Sequence, residues 1–168
     1  MVLLKVAERK KQLAKDRPSA NTARTVRPAY GIDIFSSRDQ TGNSPIVTYK
    51  NAAAMDVLDF TVLHTATFPE QFPFAGGVFS LVTTSLALHN VLKEGRMVAV
   101  KEIARVRAPG GKVILVDLYR FFKDHSSLLN SVGFEQVEVK AAGIKMMYGV
   151  LPCQILTAVK HQGQNTIG

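Results

Sequence analysis

The chain has few of the residues that mark disulfide-rich, membrane-spanning or metal-binding proteins. It carries a single cysteine, Cys153, which excludes an internal disulfide framework and fits a reducing compartment, so we expect a cytoplasmic protein. No stretch approaches the roughly 20 apolar residues of a membrane span, and none resembles a secretory signal. The four histidines show no metal-ligand spacing with one another or with Cys153. The sequence therefore predicts neither membrane insertion nor a metal site.

An excess of positive charge is missing from most of the chain, although the formal net charge is +8. Residues 1–28 contain eight lysines and arginines against two acidic residues, so the rest of the chain is nearly neutral. A basic segment of this kind can attract phosphates. The lysine-rich outer face of an exposed amphipathic helix has the same composition, and we favour that interpretation. Nucleic-acid binding is the minor alternative, and strong salt dependence would be its signature.

Two short apolar runs rich in β-branched residues lie on either side of a helical pattern. The runs, 79–84 and 112–117, have the composition of strands buried on both faces of a parallel sheet. Between them, apolar residues recur at helical spacing: Met97, Val100, Ile103 and Ala104. Pro109-Gly110-Gly111 is predicted to end that helix and turn the chain into the next strand. This order predicts a right-handed crossover unit.

The remaining patterns alternate between strands and helices without internal repeats. Strands are predicted at 29–35, 60–64, 137–139 and 153–159, and helices at 2–15, 51–57 and 120–132. Gly133 is predicted to end the last helix. With 168 residues and 46% hydrophobic content, the chain can bury one sizeable core. We therefore expect one α/β domain over residues 1–160, with an open doubly wound sheet, and a disordered tail over 161–168.

Several segments together resemble the class I S-adenosylmethionine-dependent methyltransferases, in particular the small type 11 group that is similar to ubiquinone- and menaquinone-biosynthesis enzymes. The segments are Gly31-Ile32-Asp33-Ile34-Phe35, the loop 39–45 (DQTGNSP), Phe72-Pro73-Phe74, and residues 78–91, 99–117, 145–149 and 155–160. The resemblance implies a Rossmann-like doubly wound sheet whose last strand, here 153–159, is antiparallel. It also implies S-adenosylmethionine as the cofactor.

The beginning of the sequence departs from that family. There, a central first strand and its Gly-x-Gly-x-Gly turn precede a helix similar to residues 2–15, and the glycines let the backbone approach the methionine end of the cofactor. This sequence has no Gly-x-Gly triplet, and neither Gly76-Gly77 nor Gly110-Gly111 follows a first strand. We therefore expect a sheet that lacks its first strand, in a domain that is truncated or completed by another subunit. Strands beside such a gap would carry unpaired backbone groups.

The resemblance assigns the segment 31–35 to the cofactor site. Asp33, at the end of the second strand, corresponds to the acid that accepts hydrogen bonds from the two ribose hydroxyls. A carboxylate suits that role because it has only acceptor lone pairs. The alternative role for Asp33 is a helix or turn cap. Gly31 belongs to the same segment, and Ile34 and Phe35 are expected to make apolar contacts near the adenosine.

Four further residues are candidates from their positions in the family pattern. Family members place an acid before the Phe-Pro-Phe segment to accept from the adenine amino group, and Thr67 offers only a weaker hydroxyl acceptor there. Ser85 lies at the carboxyl end of the fourth strand, where open α/β sheets bind ligands. His89 follows it as a candidate proton acceptor, with structural packing as an equal alternative. Tyr148 is the second candidate proton acceptor or orienting group.

Two functions are compatible with these residues. The first is an S-adenosylmethionine-dependent methyltransferase that acts on a small-molecule acceptor, with catalysis mostly by positioning. The second is a non-catalytic methyltransferase-like remnant that binds a protein partner, or a second copy of itself, through exposed strand edges. The sequence does not identify the methyl acceptor, because one fold hosts many functions.

Overall fold

The computed structural model describes residues 2–6 as backbone and residues 28–36, 42–143 and 151–159 in full. The strands are β1 (Val2–Val6), β2 (Ala29–Asp33), β3 (Thr61–Thr65), β4 (Phe79–Ser85), β5 (Arg107–Leu118), β6 (Glu135–Ala141) and β7 (Cys153–Val159). The helices are α1 (Pro45–Ala54), α2 (Lys93–Val106) and α3 (Phe122–Ser131), with 3-10 turns at Leu58–Phe60, Leu88–Asn90 and Tyr119–Phe121. The predicted tail over 161–168 lies outside the described residues.

The strands of the described residues form one sheet in the order β3-β2-β1-β4-β5-β7-β6. β2 and β3 are parallel, and so are β4 and β5, while β1 is antiparallel to both β2 and β4. β7 is antiparallel to its neighbours β5 and β6. The predicted doubly wound α/β sheet with an antiparallel last strand is therefore confirmed. Because β2, β3, β4 and β5 point the same way, their carboxyl ends lie at one edge of the sheet.

Two predictions about the beginning of the chain are wrong. Residues 2–6 form a strand and not the start of a helix, and this strand occupies the position that was expected to be empty. Leu4 lies opposite Tyr30 of β2 and opposite Val82 of β4, so both neighbouring strands are paired across the predicted gap. The physical reason is that a strand here provides backbone partners on both sides, which a helix cannot do. The rest of the predicted helix, residues 7–15, lies outside the described residues.

Among the other elements, two boundaries differ most from the predicted ones. Helix α1 begins at Pro45 and not near residue 51, because Ser44 caps it by accepting a hydrogen bond from the Val47 N–H at 3.2 Å and proline occupies its first turn. Pro109-Gly110-Gly111 does not end α2, which stops at Val106, but lies within β5 where its register with β4 shifts. A Cβ at Gly111 would lie within 2.9–3.0 Å of three backbone carbonyl oxygens, so this close approach requires glycine.

The core lies between the sheet and the helices that cover it. Its fully buried apolar side chains come from β4, β5 and β7 and from α2 and α3: Val82, Val113, Leu115, Leu156, Val100, Ile103 and Leu129. Each such side chain contributes about 1.5–3 kcal/mol by leaving water. Gly133, with a φ of 82°, follows α3 as predicted. No helix among the described residues is long and apolar enough to cross a membrane.

A half-buried ion pair fixes the segment before β4 against α2. The Glu102 carboxylate accepts two hydrogen bonds from the Arg105 guanidinium, at 2.8 and 2.6 Å, and one from the Phe72 N–H at 2.8 Å. Arg105 also donates to the carbonyl oxygen of Phe74 at 2.8 Å. The hydrogen bonds from Arg105 hold the pKa of Glu102 below its ordinary value of 4.5, although burial opposes them.

We expect Glu102→Gln to lower the free energy of unfolding by about 1–3 kcal/mol near neutral pH, because a charge-assisted pair and a backbone partner are weakened. The folded-state pKa lies below 4.5, so the carboxylate stabilises fully above that pH and loses its effect as the pH falls through the folded value. Denaturant unfolding of both proteins from neutral to acidic pH should therefore show a difference that shrinks below about pH 4.5. Glu138→Gln, in an exposed pair with Lys140, is the control and should change little. A difference that is constant with pH would contradict this role.

Candidate functional site

A cavity of about 810 Å³ opens at the edge of the sheet where the four parallel strands end. Open α/β sheets bind ligands at this edge, and about 300–1,000 Å³ is usual for small-molecule sites. The loops after β2, β3 and β4 and the first turn of α2 line the cavity with Ile32, Asp33, Ile34, Asn43, Ala66, Thr67, Phe68, Pro69, Ser85, Leu86, Ala87, His89, Asn90, Val91, Leu92, Glu94 and Gly95.

Asp33, the last residue of β2, lines this cavity. Its Oδ1 accepts a hydrogen bond from the backbone N–H of Phe35 at 2.7 Å and another from Asn43 Nδ2 at 3.2 Å. Burial raises the pKa of Asp33, but the opposing interactions, among them these two hydrogen bonds, hold the pKa below its ordinary value of 3.8. The side chain is therefore an ionised acceptor at neutral pH.

The turn after β2 explains how that carboxylate is held. Phe35 has a left-handed φ of 50°, and its N–H points back at the Asp33 side chain two residues earlier. Asp33 thus caps a turn, the role that the sequence left as an alternative, and it also lines the cavity. The two roles are compatible because a carboxylate has about four acceptor positions.

The loop after β3 forms an apolar wall of the cavity. The Ala66 N–H donates to the Asp33 carbonyl oxygen at 3.2 Å, which fixes this loop to the end of β2. Phe68 and Pro69 follow and line the cavity together with Thr67 and Ile34. Phe68 packs on Phe72, with ring centroids 6.4 Å apart. Apolar side chains beside a carboxylate suit a ligand with a flat ring system and a hydroxylated part.

The segment after β4 brings a histidine to the cavity and a carboxylate behind it. The Leu86 N–H donates to the Val116 carbonyl oxygen at 2.8 Å, which continues the pairing of β4 with β5. A 3-10 turn then places His89, whose Nδ1 lies 2.6 Å from Oδ1 of Asp117 near the end of β5. The His89 side chain is 13% exposed and that of Asp117 only 1%. His89 therefore lies between the cavity and a buried acid.

The reversed direction of β1 changes this edge of the sheet. Val2 lies opposite Ile32 of β2 and opposite Thr84 of β4, so the amino end of β1 is the end that lies beside the cavity edge. In the resembled family, the turn that follows a first strand lies at this place. The described residues therefore provide no turn after β1 at the cavity edge.

Five of the eight residues that the sequence predicted for the site line the cavity: Asp33, Ile34, Thr67, Ser85 and His89. Gly31 is buried within β2, paired with Leu63 of β3, and Phe35 contributes its N–H to Asp33. Tyr148 lies outside the described residues. The roles of all eight stay predictions.

Sequence reasoning missed the contributions of Asn43, Glu94 and Asp117. The first lies in the loop segment that carried the family resemblance, and the last lies at a strand end, so position gave a signal for both. Glu94 lies on the first turn of α2 and gave no signal. Among the described residues, no group of three or more His, Cys, Asp or Glu side chains is placed to hold a metal ion.

The fold is similar to that of several solved structures, two of which are methyltransferases. The [4+2]-cyclase SpnF matches with a TM-score of 0.61 and 14% identity over 80% of this chain and 66% of SpnF. The N-methyltransferase NodS from Bradyrhizobium japonicum, in complex with S-adenosylhomocysteine, matches with a TM-score of 0.58 and 12% identity over 79% and 77%. The 1,6-didemethyltoxoflavin-N1-methyltransferase of Burkholderia thailandensis matches with a TM-score of 0.56 and 13% identity, over 81% of this chain and 72% of that enzyme. This chain therefore spans just under two thirds of SpnF, and likeness at these identities shows the fold.

The strand order, with a cavity at the carboxyl edge of the sheet, defines a Rossmann-like fold. The family described as "Methyltransferase domain" matches residues 17–115, which is more than half of the chain, and the chain belongs to that family. The predicted resemblance to class I S-adenosylmethionine-dependent methyltransferases is thereby confirmed. No curated protein sequence matches the chain.

Proposed function

We propose that this domain binds S-adenosylmethionine in the cavity at the sheet edge and transfers its methyl group to a small-molecule acceptor, with His89 as the proton acceptor. The observation that carries the proposal is the ionised Asp33 carboxylate at the end of β2, held by the Phe35 N–H and Asn43 and facing a cavity of about 810 Å³. Family membership supports the reaction class.

The chemistry of the cavity fits this cofactor. Asp33 offers acceptor positions for a pair of hydroxyls, and Phe68, Pro69 and Ile34 offer apolar surface for a flat base. The described lining contains two carboxylates, Asp33 and Glu94, and no lysine or arginine. Such a lining favours a cation over an anion. S-adenosylmethionine, when bound, supplies a methyl group on a positively charged sulfur.

The domain itself would position the two reactants and remove a proton from the acceptor. Holding two reactants in line avoids much of the entropy loss of their encounter, so fixed loops matter more than covalent chemistry here. The hydrogen bonds from Ala66 to β2 and from Leu86 to β5 fix those loops at the cavity. His89 lines the same cavity, and an imidazole accepts a proton near neutral pH. The likeness to the Burkholderia thailandensis enzyme, whose structure holds 1,6-didemethyltoxoflavin, supports an acceptor of small-molecule size.

We expect Asp33→Ala to weaken the binding of S-adenosylhomocysteine by roughly 10- to 100-fold. Hydrogen bonds to a charged group contribute about 1.5–3 kcal/mol, and about 1.4 kcal/mol corresponds to a factor of ten. Isothermal titration calorimetry on the folded chain measures this change directly. Asp33→Asn should give an intermediate loss, because an amide keeps one acceptor oxygen.

Asp59→Ala is the matched control, because Asp59 lies in the exposed 3-10 turn before β3 and does not line the cavity. Its binding should equal that of the unmodified chain. If Asp33→Ala bound as tightly as this control, the placement of the cofactor against β2 would be wrong. Thermal unfolding of all variants shows whether each is folded during the titration.

A second candidate function is that of a non-catalytic methyltransferase-like protein that binds a partner. The reversed β1, with no described turn after it at the cavity edge, favours this alternative because cofactor contacts expected from such a turn are not provided there. The outer strands β3 and β6 each have one edge without a strand neighbour among the described residues. A folded chain that does not bind S-adenosylhomocysteine or S-adenosylmethionine would support this second function over the first.

A further inference from the structure

On the side of His89 away from solvent, the buried Asp117 carboxylate contacts the imidazole ring. Oδ1 of Asp117 lies 2.6 Å from Nδ1 of His89, and Oδ2 accepts the backbone N–H of the same residue at 3.1 Å. Oδ1 also accepts the Leu118 N–H at 2.8 Å. The carboxylate thus contacts two backbone N–H groups and one ring nitrogen. Backbone amides can only donate, so the carboxylate acts as an acceptor toward all of them.

From this contact we infer that Asp117 is a positioning residue that fixes the tautomer and orientation of His89. Since both Asp117 oxygens already accept backbone N–H groups, the carboxylate acts as an acceptor toward the ring as well, which places the proton between the two groups on Nδ1. Neutral His89 then carries its lone pair on Nε2, across the ring from Asp117. His89 lines the cavity whereas Asp117 does not, so the inference assigns proton exchange with a substrate to Nε2, the ring nitrogen away from the acid. This inference rests on the proposed function of the cavity.

The surroundings of the ring restrict its movement. Phe121 packs beside His89 with ring centroids 6.1 Å apart, and the guanidinium of Arg96 lies 5.1 Å from the Phe121 centroid. Arg96 also donates to the carbonyl oxygen of Val91 at 2.8 Å, which fixes the end of the segment that carries His89. Imidazole, aromatic ring and guanidinium therefore pack together behind the cavity.

The nearby His125 is a poor candidate for the same role. It is fully buried in α3 and does not line the cavity. Burial lowers the pKa of His125, with Asp117 and Asp124 opposing that effect and Arg96 and His89 adding to it. His125 therefore stays neutral near pH 7 and lies away from the cavity, and among the described residues His89 is the histidine that lines it.

The chemistry that suits this pair is methyl transfer to a hydroxyl oxygen. In such a reaction, the acceptor's O–H proton would pass to Nε2 of His89. The acceptor oxygen would form a bond to the methyl carbon as the bond from that carbon to the sulfur of S-adenosylmethionine breaks, and the electron pair of the broken bond would stay on sulfur. The resulting imidazolium keeps its Nδ1–H hydrogen bond to Asp117, so the acid stabilises the charge that develops. No further reactant is needed for this balance.

The tautomer can be measured without an acceptor substrate. Long-range proton–nitrogen correlation NMR on the ¹⁵N-labelled chain, above the pH at which imidazoles are protonated, reports which ring nitrogen carries the proton. The four histidines are distinguished by His89→Gln, which removes one set of signals. We expect a single Nδ1–H tautomer for His89. An Nε2–H tautomer in the unmodified chain would overturn the inference without any further variant.

The variant Asp117→Asn tests whether Asp117 causes the Nδ1–H tautomer of His89. We expect loss of the single Nδ1–H tautomer, because an amide both donates and accepts and no longer dictates the proton position. Asp124→Asn removes a neighbouring charge, since Asp124 lies 3.8 Å from Arg96, and should leave the tautomer unchanged. A purely structural Asp117 would leave the tautomer unchanged in Asp117→Asn, and that result would refute the positioning role.

Calorimetry with S-adenosylhomocysteine separates this inference from the proposed function. Asp117 does not line the cavity, so Asp117→Asn should bind as the unmodified chain does. An unmodified chain that binds no S-adenosylhomocysteine but shows the Nδ1–H tautomer, lost in Asp117→Asn, would overturn the proposed function and support the role of Asp117. If the unmodified chain binds S-adenosylhomocysteine but His89 carries its proton on Nε2, the proposed cofactor site would be supported and the role of Asp117 would be overturned.

Discussion

Replacing Leu4 by proline should lower the free energy of unfolding by roughly 3 kcal/mol, which is about 6–12 °C in melting temperature for a domain of this size. Leu4 is the middle residue of β1, opposite Tyr30 on one side and Val82 on the other. Proline has no N–H, so one neighbouring carbonyl loses its partner at the centre of the sheet. Differential scanning calorimetry measures the change.

The same variant should also weaken S-adenosylhomocysteine binding, because β1 joins the strand that ends at Asp33 to the strand that ends at Ser85. Lys5→Ala is the control, since it changes a side chain and keeps the backbone N–H of β1. We expect it to cost far less than the proline variant. Equal stability of Leu4→Pro and Lys5→Ala would mean that residues 2–6 are not a central strand.

The part of the fold between β4 and β5 could be predicted because its signals are local. The apolar run that begins at Phe79, the helical spacing from Met97 to Ala104 and the run that ends near Asp117 each lie within one element. β7 was predicted at its observed bounds, Cys153–Val159, for the same reason. Its antiparallel direction came from the family resemblance, not from its composition.

The first strand could not be predicted because its structure depends on distant partners. Residues 2–6 have an apolar composition that is compatible with a helix or a strand, and the sequence gives no local signal that decides between them. Leu4 pairs with residues 26 and 78 positions further along the chain. Hydrogen bonding to strands that are distant in sequence overrides a local helical pattern, and these partners are known only from the assembled sheet.

Part of the candidate site could be predicted from the sequence, because it lies at the ends of strands. Strand ends in a parallel sheet meet at one edge, so Asp33 and Ser85 could be placed near each other from the element order alone. The contact of His89 with Asp117 was not predicted, because these residues are 28 positions apart and the distance between them depends on how β4 and β5 are aligned. A position at a strand end identifies a residue as a candidate for the site. Which side chains contact each other can be stated only when the register between the strands is known.

The largest effect on stability is expected for Phe79→Ala. Phe79 is 1% exposed at the start of β4, and its ring lies edge-on to Phe74 at 4.9 Å and to Tyr30 at 5.9 Å between centroids. Removing a buried phenylalanine costs about 3–5 kcal/mol, from lost burial and from the cavity that remains. The melting temperature should fall by roughly 6–20 °C.

Two controls make this result specific to packing. Phe79→Leu keeps much of the volume and should lose clearly less than Phe79→Ala. Val139→Ala lies on β6, where the side chain is 41% exposed, and should stay within about 0.5 kcal/mol of the unmodified chain. Because Tyr30 belongs to β2 and Phe74 precedes β4, the ring of Phe79 packs the two halves of the sheet together on both sides of β1. If Phe79→Ala unfolded no earlier than Val139→Ala, these two halves would not share the core that the structure shows.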